Sequence, residues 1–502
     1  MVNAQYVSAA DLVGCRYRQV QRLRHPEVPR TRTALMRLAR VEAAHAAVWE
    51  LLPTRPARGD RRRFLRIDIP PVPHDADSFS AELATLEALA AEADLITGAV
   101  FTGGTGTEWR VDVDILVRRP HGDYLPVIIS NHRVARADES STTPVIATSR
   151  LGLGEPVEGR FRLRHHVADG HRLALAARAL EDIGVDCGQG AVIGQDRSRA
   201  FLAPTAPLQP ALSAALEQEL PSFPRRVKEC ASCRFWPLCE QELQAADDIS
   251  LYLAGDRART WREQGITTVA GLIDADLGEP SRLARAWRDG VVLLAKVDEV
   301  QAPTADVEID VDMEAYLDQG AYLWGAFDGR EYHSFATWVP LGGEAEAANF
   351  ARFWHWLMGQ RDRAHAAGQS FAAYCWSNHG ENHWLTMSAR RFAGMEGIPP
   401  EAEVAAFISS PEWIDVFRLV RAQLVGPGGL GLKVVAPEAG YTWEDGDFDG
   451  EESVNARRVA RGTDAAALEA RRRLLRYNED DCRATAAVRA WLRAGAPGVE
   501  KL

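Results

Sequence analysis

Long apolar runs are missing from this chain of 502 residues. None approaches the roughly 18 residues needed to cross a bilayer, and the opening MVNAQYVSAADLVGCRYRQ has no hydrophobic stretch suited to a secretory signal. That pattern predicts a cytoplasmic protein with no membrane partner. Cysteine is also scarce, seven residues too unevenly spaced for a disulfide framework, so clustering among them points to metal or redox chemistry. The loop G-x4-G-K-S/T that cradles nucleotide phosphates is absent, which excludes an ATP-driven motor of that kind. Internal repeats and low-complexity tracts are absent too. What remains is an ordinary globular balance, 46% hydrophobic and 25% charged. At roughly 150 residues per domain the length gives two to four domains.

The net charge of −12 argues against a protein that coats nucleic acid by bulk attraction, but it hides an asymmetry. Residues 1–66 carry fourteen Arg, no Lys and five acids, with a knot at Arg58, Arg61, Arg62, Arg63 and Arg66. Asp298 to Asp318 carries eight acids and no base, and Glu438 to Glu452 seven acids and no base. A basic front suits phosphates and an acidic rear suits divalent cations, although either run also serves as a solvated face.

Ala34 to Leu52 and Ser80 to Ala93 read as helices, Trp109 to Val117 and Tyr124 to Ile129 as a strand pair, and Asp169 to Ile183 as helix again. This order suits an α/β domain over residues 1–245. Residues 246–296 look helical around Gly265 to Val269, as a connector would. A second α/β domain is predicted over 297–502, with a hairpin of Val307 to Met313 and Tyr322 to Phe327, then helices at Glu344 to Ala366 and Asp464 to Ala494. Gly426 to Glu452 reads as a long loop, functional or mobile.

Cys230-Ala-Ser-Cys233 followed by Cys239 gives C-x2-C-x5-C, three thiolates within ten residues, which need a cation. A closed four-thiolate site, zinc or iron–sulfur, takes its fourth ligand from Cys15, Cys187, Cys375 or Cys482. Cys15, in GCRYR, is preferred because it would tie the N-terminus to the end of the first domain and constrain a long loop. A distant Cys with C-x2-C-x5-C at the domain end resembles the iron–sulfur staple of RecB-type nucleases. The resemblance implies a 4Fe–4S cluster rather than zinc, and a restriction-endonuclease-like α/β fold.

That family cuts DNA with a PD-(D/E)xK site: a His on an early helix, an Asp on one strand, then an acid and a Lys on the next, holding Mg²⁺ or Mn²⁺. His45, in RVEAAH, occupies the helix position. In WRVDVDILVR a period of two puts Asp112 and Asp114 on one face, and Asp114 matches the family's metal-binding Asp. The next strand, YLPVIISNHR, offers only Asn131-x-Arg133, with no acid between Asp123 and Asp138. Arg172 and Ala176 stand where the family has Gln and Tyr. The resemblance therefore implies a nuclease relic that still binds DNA, any residual cutting running through His45, Asp112 and Asp114.

Val307 to Glu314 alternates strictly, so Asp310, Asp312 and Glu314 line the face opposite the apolar residues. Such like charges repel unless water or a divalent metal neutralises them. Far downstream, Tyr477 and Asp481 lie four apart in the amphipathic helix LLRYNEDDCRATAAVRAWL, hence on one face. Asp-x-Glu on a strand with Tyr-x3-Asp on a late helix resembles the Tyr-bearing DEDD exonucleases of the RNase H-like fold, in their YprB-like branch. The resemblance implies that Asp312, Glu314, Asp481 and Glu381, the last in AYCWSNHGENHW, hold two Mg²⁺ or Mn²⁺ ions. It also implies that Tyr477 orients the attacking water; Asp415, in EWIDVF, is a candidate to stand behind these ligands.

Together these resemblances imply a RecB-like unit fused through a connector to an RNase H-like exonuclease. The expected activity is metal-dependent, 3′ to 5′, on single-stranded DNA or DNA ends, with a helicase or repair partner left open. The alternatives are a non-catalytic nucleic-acid-binding subunit serving another nuclease or helicase, and a zinc-stapled RNA exonuclease.

Overall fold

The computed structural model describes residues 6–56, 64–72, 78–104, 106–317, 319–446, 448 and 450–502. Arg58, Arg61, Arg62 and Arg63 of the basic knot lie outside the described residues, as do Asp318, Asp447 and Asp449 of the acidic stretches. The chain divides into two units, Met1–Arg257 and Ala258–Leu502.

In chain order the first unit has helices α1 (Tyr17–Arg24) and α2 (Arg32–Leu51), strand β1 (Arg66–Asp68) and α3 (Phe79–Ala90). Strands β2 (Leu95–Gly103), β3 (Trp109–Arg118), β4 (Tyr124–Ile129), β5 (Ala135–Ala137), β6 (Thr143–Ala147), β7 (Val157–Gly159) and β8 (Phe161–Leu163) follow. Then come α4 (Val167–Asp182), β9 (Gln189–Ile193), β10 (Arg199–Pro204), α5 (Gln209–Glu217) and α6 (Trp236–Ala245). The main sheet runs β1-β2-β3-β4-β9-β10-β6-β7, and β5 pairs with β8 in a separate ribbon. Thr31 starts α2 by accepting the Ala34 N–H at 3.2 Å. All six residues of β4 are buried, as expected of a strand covered on both faces. Along β3 the pleat changes sides: Val111 and Val113 join the core that contains Leu175 and Leu180 of α4, whereas Ile115 and Val117 join the core that contains Val48 of α2. The switch falls at Asp114, at the gap in pairing with β2 where Gly98 has φ +72°. A simple period of two therefore does not carry through this strand.

The second unit opens with α7 (Arg259–Glu263), α8 (Val269–Asp274), α9 (Glu279–Arg288) and β11 (Leu294–Ala295). Its central elements are β12 (Val307–Tyr316), β13 (Gly320–Phe327), β14 (Tyr332–Ala336), α10 (Glu344–Ala366), β15 (Phe371–Cys375), α11 (His379–Arg391) and α12 (Glu401–Ile408). It closes with β16 (Trp413–Asp415), α13 (Val416–Gln423), β17 (Leu424–Val425), α14 (Leu432–Val435), α15 (Gly450–Ala460), α16 (Ala465–Arg493) and β18 (Glu500–Lys501). The expected loop from Gly426 to Glu452 thus contains a short helix and the start of another. The sheet runs β14-β13-β12-β15-β16, antiparallel across the first three strands and parallel across the last three. Ile309 and Val311 of β12 pack with Trp324, Phe350, Phe353 and Leu357. The alternate residues of β12 are free to meet α16, whose start is capped by Asp464 accepting from Ala467 N–H at 2.8 Å. Among the described residues no helix is long and apolar enough to cross a membrane.

Candidate functional site

Three carboxylates converge in the second unit. Asp312 and Glu314 come from β12 and Asp481 from α16, and one ligand oxygen of each lies within 4.8 Å of the others. All three are part-buried. Burial raises Asp312 well above the ordinary carboxylate range, and the charges of Asp481, Glu314 and Glu381 add to it. Burial likewise pushes Glu314 up to about 8, with Asp481 next in effect. Asp481 is raised less, to about 6, because a Trp443 hydrogen bond and the Lys433 charge oppose burial. Carboxylates held together against their own repulsion suit a divalent cation, which would favour their ionised forms. Oxygen donors of this kind match Mg²⁺ or Mn²⁺.

Glu381 sits in the first turn of α11 and is buried. Burial pushes it up to about 8, with Asp415 and Asp481 as repelling neighbours. It lies within electrostatic reach of the triad but is not part of that 4.8 Å group. Asp415 acts locally: its carboxylate accepts from the backbone N–H groups of Ser377, Asn378 and Arg418 at 3.2, 3.3 and 3.0 Å, capping α13. Tyr477 hydrogen-bonds Asp481, and burial raises its pKa.

Asp310, which shares the strand face, does not join the triad. Its two oxygens accept from Arg489 at 2.8 and 2.7 Å, so it is a buried ion-pair partner between β12 and α16. Several residues that pattern alone did not single out surround the triad instead. Asn478 donates to Asp312 Oδ2 at 2.6 Å and accepts from Tyr332 OH at 2.6 Å. Trp443 Nε1 donates to Asp481 Oδ1 at 2.8 Å, and Tyr441 OH donates to Asp480 Oδ1 at 2.7 Å. Gly325 makes the approach of α16 possible: a Cβ there would fall 1.7 Å from Asn478 Oδ1. The one signal that could have found Asn478 is its place a helical turn before Asp481 in Y-N-E-D-D; Trp443 lies in an irregular segment without periodicity.

In the first unit the structure brings His45 and Asp114 together, with Nε2 3.2 Å from Oδ1. Arg172 of α4 donates to the same oxygen at 2.7 Å and to the Asp112 carbonyl at 2.9 and 2.6 Å. The Ile129 N–H donates to Asp114 Oδ2 at 2.5 Å. Burial alone would raise Asp114; the Arg172 guanidinium and His45 together outweigh it and hold the carboxyl below its ordinary value. The Asp112 carboxylate accepts from Arg110 Nε at 2.8 Å. Asn131 hydrogen-bonds Arg197, and Arg133 is exposed. The residue whose backbone meets Asp114 from the next strand is therefore apolar Ile129.

Cys15 and Cys233 pack against Cys239, Tyr17 and Phe235 in one apolar cluster, and Cys230 lies close enough for its thiol to respond to Cys15 and Cys233. Helix α1 docks on α6 through Tyr17 OH and Gln21 Nε2, which donate to Glu242 at 2.8 and 2.7 Å. Two N–H groups point at sulfur: Gln21 Nε2 to Cys239 at 3.5 Å and Val227 N to Cys230 at 3.3 Å. Burial pushes the Cys15 and Cys230 thiols up, and Cys239 up to about 12.

Residues 311–493 match the sequence model RNase_H_2, described as RNase_H superfamily. A domain of that superfamily indicates a nuclease acting on nucleic acid, a class that uses divalent metals, and the Asp312, Glu314 and Asp481 cluster is consistent with that use. A solved structure titled "Crystal structure of SSO0001" aligns at 13% identity with a TM-score of 0.23, covering 48% of this chain and 89% of that chain. Comparison with curated proteins finds no match.

Proposed function

We propose that the chain is a metal-dependent exonuclease that removes nucleotides 3′ to 5′ from single-stranded DNA or DNA ends through its second unit. The observation that carries this is the convergence of Asp312, Glu314 and Asp481 within 4.8 Å in a segment matching the RNase H superfamily. Those three residues, with Glu381 beside them, would hold Mg²⁺ or Mn²⁺. Bound divalent ions supply Lewis acidity, offsetting the phosphate's charge and making water a better nucleophile. The protein's own part is positional. Asn478 and Trp443 direct the oxygens of Asp312 and Asp481, and the Tyr477 hydroxyl, now on Asp481, is placed to orient a water.

The first unit is read as RecB-like, binding DNA without cutting it. Two features support the absence of cutting: no acid lies between Asp123 and Asp138 on the segment that meets Asp114, and Arg172 already pairs with Asp114. Arginine stays protonated and cannot act as a base. Cys15, Cys230, Cys233 and Cys239 of this unit are read as holding a 4Fe–4S cluster. What supports this reading is that Cys15 and Cys233 pack with Cys239 and that Cys230 lies close enough to sense Cys15 and Cys233.

Asp312→Asn should lower Mg²⁺- or Mn²⁺-dependent release of nucleotides from end-labelled DNA by about a hundredfold or more. Asp114→Asn should leave that release in place. Undiminished hydrolysis by Asp312→Asn would move the active site elsewhere.

A further inference from the structure

We infer that the β5–β8 ribbon of the first unit grips the phosphodiester backbone of nucleic acid. The ribbon pairs Ala135 with Leu163, Arg136 with Arg162 and Ala137 with Phe161. Its two faces differ in kind. Ala135, Phe161 and Leu163 pack with Val134, Val145 and Phe201, which places Arg136, Arg160, Arg162 and Arg164 on the other face, all exposed. Apolar packing accounts for the inner face and gives no reason for the outer one.

The outer face is arranged against its own stability. Arg136 and Arg162 stand directly opposite each other, and like charges in that position are destabilising. Asp138 offsets part of this, 3.0 Å from Arg162 Nε and 3.9 Å from Arg136 Nη2. Residues 132–138 and 159–166 contain five arginines and only that one acid, with Glu139 and Glu158 just outside, in a chain whose net charge is −12. The remaining hydrogen bonds orient the guanidinium groups without neutralising them. Arg162 donates to the hydroxyls of Ser141 and Ser140 at 3.1 and 3.3 Å, and Arg160 to the Glu139 carbonyl at 3.3 Å. A row of planar guanidinium groups at every second residue, Arg160, Arg162 and Arg164, is suited to phosphate oxygens, which accept two parallel hydrogen bonds from one such fork. Several phosphates in a row are what a nucleic-acid strand presents.

This deepens the proposed function and rests on it for the class of polyanion. The test uses full-length Asp312→Asn protein in EDTA, so that binding is read without cleavage. Fluorescence anisotropy with single-stranded and duplex DNA is followed from about 50 to about 200 mM salt. Replacing Arg136, Arg160, Arg162 and Arg164 together with Ala should weaken binding at least about tenfold. It should also flatten the plot of log K against log salt by roughly 0.7 to 0.9 for each phosphate no longer neutralised, and the arm with the larger drop identifies the strand form gripped. The matching quadruple Lys variant should keep most of the slope. Unchanged affinity and slope in the Ala variant, or a Lys variant as weak as the Ala variant, would overturn the proposal. Hydrolysis that survives Asp312→Asn would instead defeat the exonuclease reading and leave the salt slopes standing.

Discussion

Trp443 and Tyr477 both direct a polar hydrogen at one carboxylate, that of Asp481. Lys433 stands over both rings, its Nζ 5.7 Å from the Trp443 centroid and 5.2 Å from that of Tyr477. The three side chains therefore form a small assembly that sets how Asp481 faces Asp312 and Glu314. Trp443→Phe keeps an aromatic ring beneath Lys433 and removes the indole N–H along with part of the ring. With that hydrogen bond gone, Asp481 can turn, and residues that hold a ligand in place are each worth about 10- to 100-fold in metal affinity. The expected result is a Mn²⁺ affinity about tenfold weaker, read by titration calorimetry, with hydrolysis recovered at saturating Mn²⁺. An unchanged Mn²⁺ affinity would make the Trp443 hydrogen bond incidental.

Strand β12 and helix α16 meet along a seam with two kinds of interaction. At one end Arg489 holds Asp310 and Glu308, and Arg493 also holds Glu308; further along lie Asn478 and the triad. Burial would raise the Glu308 pKa, but hydrogen bonds from Arg493 and Arg489 outweigh it and hold it at about 2. A carboxyl depressed in the fold stabilises it above the ordinary value and loses that contribution as pH falls through the folded value. Thermal stability should therefore drop between about pH 4.5 and about pH 2. Glu308→Gln should cost about 2 kcal/mol at pH 7 and flatten that acid limb; an unaltered limb would deny the pair its structural role. The seam also shows what was legible in the sequence. Alternation in β12 exposed Asp312 and Glu314, and helical spacing exposed Asp481, because both periods are local. Asp310 could not be told apart from its neighbours, since its partner Arg489 is 179 residues away. Trp443 and Asn478 matter only through the packing of distant segments. In the first unit β2, β9 and β10 escaped notice because their apolar residues are buried with little alternation, and β3 changes sides midway.

At the scale of the whole chain there are two units with separate cores, and the proposed function gives each its own metal chemistry. The carboxylate triad lies wholly in Ala258–Leu502, and the four cysteines of the proposed cluster lie wholly in Met1–Arg257. An ion that binds only the folded triad stabilises that unit by about 2.7 kcal/mol when present at a hundredfold excess over its dissociation constant. For a unit of this size that is a rise of about 5 to 10 °C in its midpoint. Calorimetry of the full-length protein should therefore show two transitions, of which Mn²⁺ raises one. Asp312→Asn should remove that rise without altering the other transition. Cys233→Ser should do the reverse, lowering the transition that Mn²⁺ leaves alone and removing iron from the protein. If Mn²⁺ moved both transitions together, or if Cys233→Ser lowered the Mn²⁺-sensitive one, the assignment of one metal chemistry to each unit would fail.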